Sequence, residues 1–240
     1  TKKFKNPPLT EAVFELFYQT STWNPATPGI YYSKVNKDYP IITQSGGGFG
    51  IALGAQGVQI GSGNNNLTQL KSHDNSSIIQ LSNNLFTVNK LPKYNGWESY
   101  KEMILQAVEL LYTTIDIQQI NRIGLRAINK LDVKAQSLEN FKRSFNVYPN
   151  MPNGIVNDFN SLQLNYETQF PNNEVLAINF TTLRKEPSYE APVQFQLFYT
   201  KLSTIDKSYI EKWLDNAHKQ LHSAFDHIVT KEQKDEFDND

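Results

Sequence analysis

Arg122-Ile123-Gly124-Leu125-Arg126-Ala127-Ile128-Asn129-Lys130 is the stretch that decides the fold. Successive side chains of a β-strand point to opposite faces, so the alternation in this stretch predicts a strand with two unlike faces. The apolar face carries Ile123, Leu125 and Ala127. The basic face carries Arg122, Arg126 and Lys130, and Gly124 leaves open space between the two arginines.

A second predicted strand, residues 11–19, carries the opposite charge. Glu11 and Glu15 share one face at the same four-residue spacing as the arginines, and the other face is apolar. Two interpretations stay open. Ion pairs between neighbouring strands would fix the register of the sheet. Alternatively, the arginines would bind a planar anion such as a carboxylate or a phosphate.

Both halves of the chain show alternating segments followed by one amphipathic helix. The first helix is predicted to begin near Trp97, with Asn95 as its cap and Glu98 in its first turn, and the second to begin near Asp206 or Ser208. We therefore expect an α+β protein made of duplicated antiparallel β-sheet plus long helix units, with two main helices packed on the sheet. The predicted halves are 1–133, which contains the Arg122 strand, and 134–240, either as two domains or as one continuous duplicated domain.

The connecting segments are predicted from turn-forming residues. Prolines and a glycine between residues 20 and 40 indicate a long irregular connection. The glycine-rich segment 46–60 predicts a β-hairpin that turns near Ala55 and Gln56. The spacing of its glycines from Gly48 to Gly54 approaches that of a dinucleotide-binding motif, but no predicted helix follows, as such a motif requires. Residues 61–66 are predicted to form a polar loop, and residues 231–240 are predicted to fray.

Composition excludes several classes of protein. The 240 residues include no cysteine, so disulfides, thiolate zinc sites and cysteine nucleophiles are excluded. No apolar run approaches the ~20 residues that a membrane-spanning helix needs. The net charge of −1 gives no general attraction to nucleic acid, although a local basic patch stays open. The sequence predicts a cytoplasmic protein with no membrane partner.

A helical histidine pattern is the one candidate metal site. His218, His222 and Asp226 are each four residues apart on the last predicted helix, a spacing that presents two imidazoles and a carboxylate on one side. The glutamate that follows the first histidine in metallopeptidases is absent. We therefore predict no metal and no cofactor, with these three residues as the alternative.

Two motifs taken together carry a family resemblance. The segments 6–15 and 122–129 resemble the Pro-Pro-Leu-X-Glu-Ala and Arg-X-Gly-Leu-Arg motifs of a sporadically distributed, uncharacterised prokaryotic protein family, and the resemblance extends to Trp97-Glu98, His218 and Phe225. Ala127 stands where the family usually has tyrosine. The family brings no activity with it, and its patchy distribution implies a defence or toxin–antitoxin-like setting. The motif positions matched are Glu11, Glu15, Arg122, Arg126 and Asn129.

The predicted function follows from a charged strand pair and the lack of a catalytic motif. No serine lies in a Gly-X-Ser-X-Gly elbow, and no carboxylate pair stands out as acid and base. We expect a non-enzymatic binding protein for a protein partner or an anionic ligand, in an oligomeric state that the sequence leaves open. Its predicted binding residues are Arg122, Arg126, Asn129, Lys130, Glu11 and Glu15. Two alternatives stay open: an enzyme for a phosphorylated or carboxylated small molecule with Glu11 or Glu15 as acid/base, and single-stranded nucleic-acid binding.

Overall fold

A computed structural model describes most of the chain. The described residues are 4–54, 57–92, 94–131, 137–150, 152, 161–182 and 192–238, with residues 45–54 and 57–66 described by their backbone. They form one nine-stranded antiparallel sheet and five α-helices, which confirms the α+β class. The order of strands across the sheet is β2-β3-β4-β5-β1-β6-β9-β8-β7.

The elements have the following bounds along the chain. The strands are β1 Leu9–Thr20, β2 Ile41–Gly54, β3 Gly57–Lys71, β4 Ser77–Leu81, β5 Leu85–Lys90, β6 Ile117–Leu131, β7 Gln163–Phe170, β8 Glu174–Thr182 and β9 Val193–Lys201. The helices are α1 Thr27–Val35, α2 Trp97–Tyr112, α3 Leu138–Ser144, α4 Ile210–Ile228 and α5 Lys231–Glu236.

The chain divides into two compact units, each assembled from separated segments. Unit I comprises Thr1–Glu11, Arg126–Tyr199 and Ala217–Asp240. Unit II comprises Ala12–Leu125 and Thr200–Asn216. The predicted duplication of the two sequence halves stays a prediction.

Unit II has an apolar sheet face covered by helices. Phe14 of β1 lies opposite Val88 of β5, and Leu16 lies opposite Phe86, so alternation places all four side chains on one face. All four are fully buried. The Tyr31 ring of α1 packs edge-on against Phe86 at 5.7 Å between centroids. In α2, the Tyr100 hydroxyl donates to the Val88 carbonyl at 2.7 Å. This face therefore forms the core of unit II.

Unit I has a core of phenylalanine side chains. Phe145 packs edge-on against Phe180 and Phe195, with centroids 5.0 and 5.4 Å away. Phe195 stacks on Phe225 of α4 at 6.0 Å. Aromatic rings bury large areas and favour such edge-to-face and offset geometries. One cluster thus joins Phe145, the C-cap of α3, to β8, β9 and α4.

The predicted irregular connection at residues 20–40 is wrong in part, because it contains α1. Pro28 lies in the first turn of this helix, where its missing N–H removes no hydrogen bond and its fixed φ suits the helix. The proline that indicated a loop therefore begins a helix. At α2, Gly96 with φ of 107° is the N-cap, in place of the predicted Asn95, and no side chain caps the helix.

Two polar segments also differ from prediction. Residues 61–66, predicted as a loop, belong to β3, which pairs with β2 down to Gly54 opposite Gly57. This pairing confirms the glycine-rich hairpin; its predicted turn at residues 55–56 lies outside the described residues. Part of the tail predicted to fray forms α5, which is anchored by the buried side chains Gln233 and Phe237.

The first and last described segments of the chain are in contact in unit I. The backbone N–H of Asn6 donates to the Phe237 carbonyl at 2.9 Å, and the Phe4 ring packs edge-on against Phe237 at 5.3 Å. The Ser144 hydroxyl donates to Gln233 at 2.7 Å. These contacts hold α5 against the unit. In the described part of the chain, no helix has the length and hydropathy to span a membrane.

Substituting Phe237 tests the anchoring of α5. Phe237→Ala removes a side chain that is 7% exposed, and we expect it to lower the free energy of unfolding by about 3 kcal/mol. The exposed neighbour Asp235 provides the control, since Asp235→Ala should change stability by less than about 0.5 kcal/mol. Urea unfolding measures both. Equal stability of F237A and wild type would mean that the tail frays as the sequence suggested.

Candidate functional site

An ion pair between β1 and β6 forms the centre of the candidate site in unit II. Arg122 Nη2 donates to Glu15 Oε1 at 2.8 Å. Glu15 lies between Phe14 and Leu16, so its side chain points away from the face that α1 and α2 cover. The Glu15 side chain is 8% exposed and that of Arg122 is 22% exposed. The carboxylate is thus buried, whereas the Arg122 side chain as a whole retains partial access to solvent.

Two further features define the surroundings of Arg122. Its guanidinium carbon lies 3.8 Å from the centroid of the Phe17 ring, a cation–π contact that fixes the plane of the group. Its Nε atom is buried and has no hydrogen-bond acceptor among the described residues. Leaving such a donor unsatisfied costs about 1–3 kcal/mol. The guanidinium group is therefore oriented but incompletely satisfied.

A polar row extends from Glu15 across the sheet of unit II. Glu15 lies opposite Thr87 of β5, Thr87 opposite Gln80 of β4, Gln80 opposite Gln69 of β3, and Gln69 opposite Thr43 of β2. Directly opposite residues of an antiparallel pair share a face. Exposure rises along the polar row: Glu15 and Thr87 are buried, Gln80 and Gln69 are half-buried, and Thr43 is exposed.

Hydrogen bonds connect the middle of the polar row. Thr87 Oγ1 lies 3.1 Å from Gln80 Oε1 and 2.7 Å from Asn89 Oδ1. Because a hydroxyl carries one hydrogen, Thr87 donates to one of these amides and accepts from the other, which must present its nitrogen. Thr87, Gln80 and Phe17 were not predicted from the sequence, because strand register is needed to bring them beside Glu15 and Arg122.

Arg126 has a different environment, in unit I. It is 3% exposed, its Nη1 donates to Gln196 Oε1 at 3.3 Å, and its guanidinium carbon lies 4.4 Å from the Phe198 ring centroid. Both partners belong to β9 and alternate to the opposite face from Phe195. Arg126 is therefore a packed interior residue. Arg122 belongs to the same sequence motif, but its side chain is partly exposed.

The remaining predicted binding residues also belong to unit I. Asn129 is buried, and its side-chain amide donates to the Ala127 carbonyl at 3.4 Å. The backbone N–H of Lys130 donates to the Pro8 carbonyl at 2.9 Å, which ties the end of β6 to the start of β1. Glu11 and Lys130 are half-buried. Of the six predicted residues, only Glu15 and Arg122 are brought together in unit II.

The alternative metal ligands lie on α4 within unit I. The rings of His218 and His222 are 6.4 Å apart, and His222 Nδ1 lies 3.1 Å from Asp226 Oδ2. Lys234 Nζ approaches the other carboxylate oxygen of Asp226 at 3.9 Å. Among the residues that the structure describes, no three His, Cys, Asp or Glu side chains are grouped to hold a metal ion.

Comparison with known proteins adds no function to this geometry. No protein-family model matches the chain, and no curated protein matches it. The family resemblance of the two motifs therefore stays an expectation.

Substituting Arg126 tests its assignment as an interior residue. Arg126→Ala should lower the free energy of unfolding by about 3 kcal/mol, because it removes the buried stem and guanidinium group that pack against Phe198 and Gln196. Arg143 supplies the control: its side chain is 66% exposed and pairs with Glu232, so Arg143→Ala should change stability by less than about 1 kcal/mol. Thermal or urea unfolding compares them, and similar losses in both variants would contradict the assignment.

Proposed function

We propose that this chain is a non-enzymatic binding protein that recognises a protein partner or an anionic ligand through Arg122 and the polar row of unit II. The Arg122 side chain carries the proposal, since it is 22% exposed and its Nε–H has no acceptor among the described residues. A carboxylate or phosphate oxygen that reached this atom would satisfy it. Arginine favours such planar, multidentate contacts over the single-point contacts of lysine.

The orientation of Arg122 supports a binding role. Glu15 holds one terminal nitrogen and Phe17 covers one side of the guanidinium plane. A side chain that is already fixed loses less conformational freedom when a ligand binds. The pair therefore supplies a preorganised donor group in which Glu15 and Phe17 position the arginine.

The polar row supports an extended partner. Its amide and hydroxyl side chains become progressively more exposed from Thr87 to Thr43. Amides and hydroxyls both donate and accept hydrogen bonds, so they suit the backbone or polar side chains of a peptide segment. A carboxylate of that segment at Arg122 would set its position. The motif resemblance favours a prokaryotic defence setting for such a partner.

Arg122→Lys is the variant that tests this function. Lysine keeps the positive charge that Glu15 needs and removes the Nε–H and the planar group. We expect native mass spectrometry of wild-type protein, gently purified from the organism that encodes it, to show a bound protein or small anion. R122K should retain about tenfold less of this bound species than wild type. A tenfold loss of affinity corresponds to about 1.4 kcal/mol of binding free energy.

Arg143→Ala is the matched control for this comparison, because Arg143 is exposed in unit I and lies outside the polar row. It should retain the bound species at the wild-type level. Equal retention by R122K and wild type, with R122K folded by circular dichroism, would overturn the role of Arg122. A wild-type protein that is bare under the same conditions would count against a stable complex.

A further inference from the structure

Strand β7 lies at the end of the sheet and is open to solvent. Among the described strands it borders β8 alone. Six of its eight side chains are exposed, and Leu164 and Phe170 are half-buried. An edge strand of this kind presents unpaired backbone groups that template pairing with another strand.

The register with β8 shows which backbone groups face outward. The Thr182 N–H donates to the Leu162 carbonyl, so this pair of residues is hydrogen-bonded. Hydrogen-bonded pairs recur at every second residue of an antiparallel ladder, and the even-numbered residues of β7 therefore bond to β8. The N–H and C=O groups that point to the open edge belong to Gln163, Asn165, Glu167 and Gln169.

Strand β7 carries few of the usual protections of an edge strand. It contains no proline and no lysine, its register with β8 runs without a bulge, and Glu167 is its one charged residue. Natural edge strands commonly use such devices to prevent pairing. With one charged residue over eight positions, this edge is available for pairing with another strand.

We infer that a second copy of this chain pairs with β7 in an antiparallel arrangement centred on Tyr166. Outward-facing residues of one copy must meet outward-facing residues of the other, so the two-fold axis passes through a residue of β7, and the three most central positions pair the most residues. An axis at Glu167 places two carboxylates directly opposite each other, and an axis at Asn165 leaves Gln169 without a pair. An axis at Tyr166 pairs Gln163 with Gln169 of the partner subunit and Asn165 with Glu167 of the partner subunit.

The side chains of β7 fit this register. Tyr166, which is 40% exposed, lies directly opposite Tyr166 of the partner subunit as a non-hydrogen-bonded pair. Such pairs have Cα atoms about 4.5 Å apart and bring their side chains into contact. Leu164 and Phe170 lie on the same face and flank the tyrosines. Phe170 already packs edge-on against Tyr199 at 5.5 Å, so the pairing would extend an existing apolar cluster.

The absence of cysteine in the chain permits a clean cross-linking test. Tyr166→Cys should form a disulfide-linked dimer under mild oxidation, because the expected Cα separation suits a disulfide. Thr168→Cys should not cross-link with itself, since it lies opposite Leu164 of the partner subunit. Mixing the L164C and T168C proteins should give the mixed disulfide. Cross-linking of T168C with itself and not of Y166C would overturn this register.

Charge variants test the same interface without a covalent bond. The wild-type chain should sediment as a concentration-dependent dimer. Asn165→Glu places a second carboxylate opposite Glu167 of the partner subunit, and the two-fold axis repeats this contact. We expect the repulsion to raise the dissociation constant of the dimer about tenfold. Adding Glu167→Lys should restore the dimer. A wild-type monomer at the highest soluble concentration, or a dimer that N165E leaves unchanged, would overturn the proposal.

Discussion

The buried carboxylate of Glu15 is the constraint on which the candidate site depends. A charge removed from water costs several kcal/mol unless an opposite charge and hydrogen bonds compensate it. Arg122 supplies both at 2.8 Å. This requirement holds the guanidinium group at one position on the sheet, where Phe17 stacks on it and its Nε–H lacks an acceptor among the described residues. The same pair thus links β1 to β6 and creates the donor that we assign to binding.

The sequence predicted those parts of the fold that depend on local periodicity. Alternation identified β1 and β6, and it placed Glu15 and Arg122 on charged faces; the two side chains form an ion pair in the structure. It did not predict α1, because a proline can either interrupt a helix or occupy its first turn, as Pro28 does. Only tertiary packing decides between the two. The polar tail formed α5 for the same reason, since Phe237 is anchored by Phe4 from the opposite end of the chain.

The candidate site was only partly predictable, because alternation tells which side of a strand a residue lies on and not what covers it. Arg122 and Arg126 occur in one motif at equivalent positions. The Arg122 side chain is 22% exposed, whereas Arg126 is 3% exposed and packs against residues of β9. The polar row of Thr87, Gln80, Gln69 and Thr43 comes from four different strands. Their approach to Glu15 depends on register, which no single segment encodes.

The central claim, that Arg122 binds an anion through a preorganised Nε–H, is tested most directly by nitrogen-15 NMR of the arginine side chains. The chain has four arginines, so four Nε–H signals are expected, and Arg122→Lys identifies the one from Arg122. We predict that inorganic phosphate or acetate shifts the Arg122 signal in a saturable manner and leaves that of the exposed Arg143 nearly unchanged. An Arg122 signal that does not move, or equal shifts at all four arginines, would contradict the account.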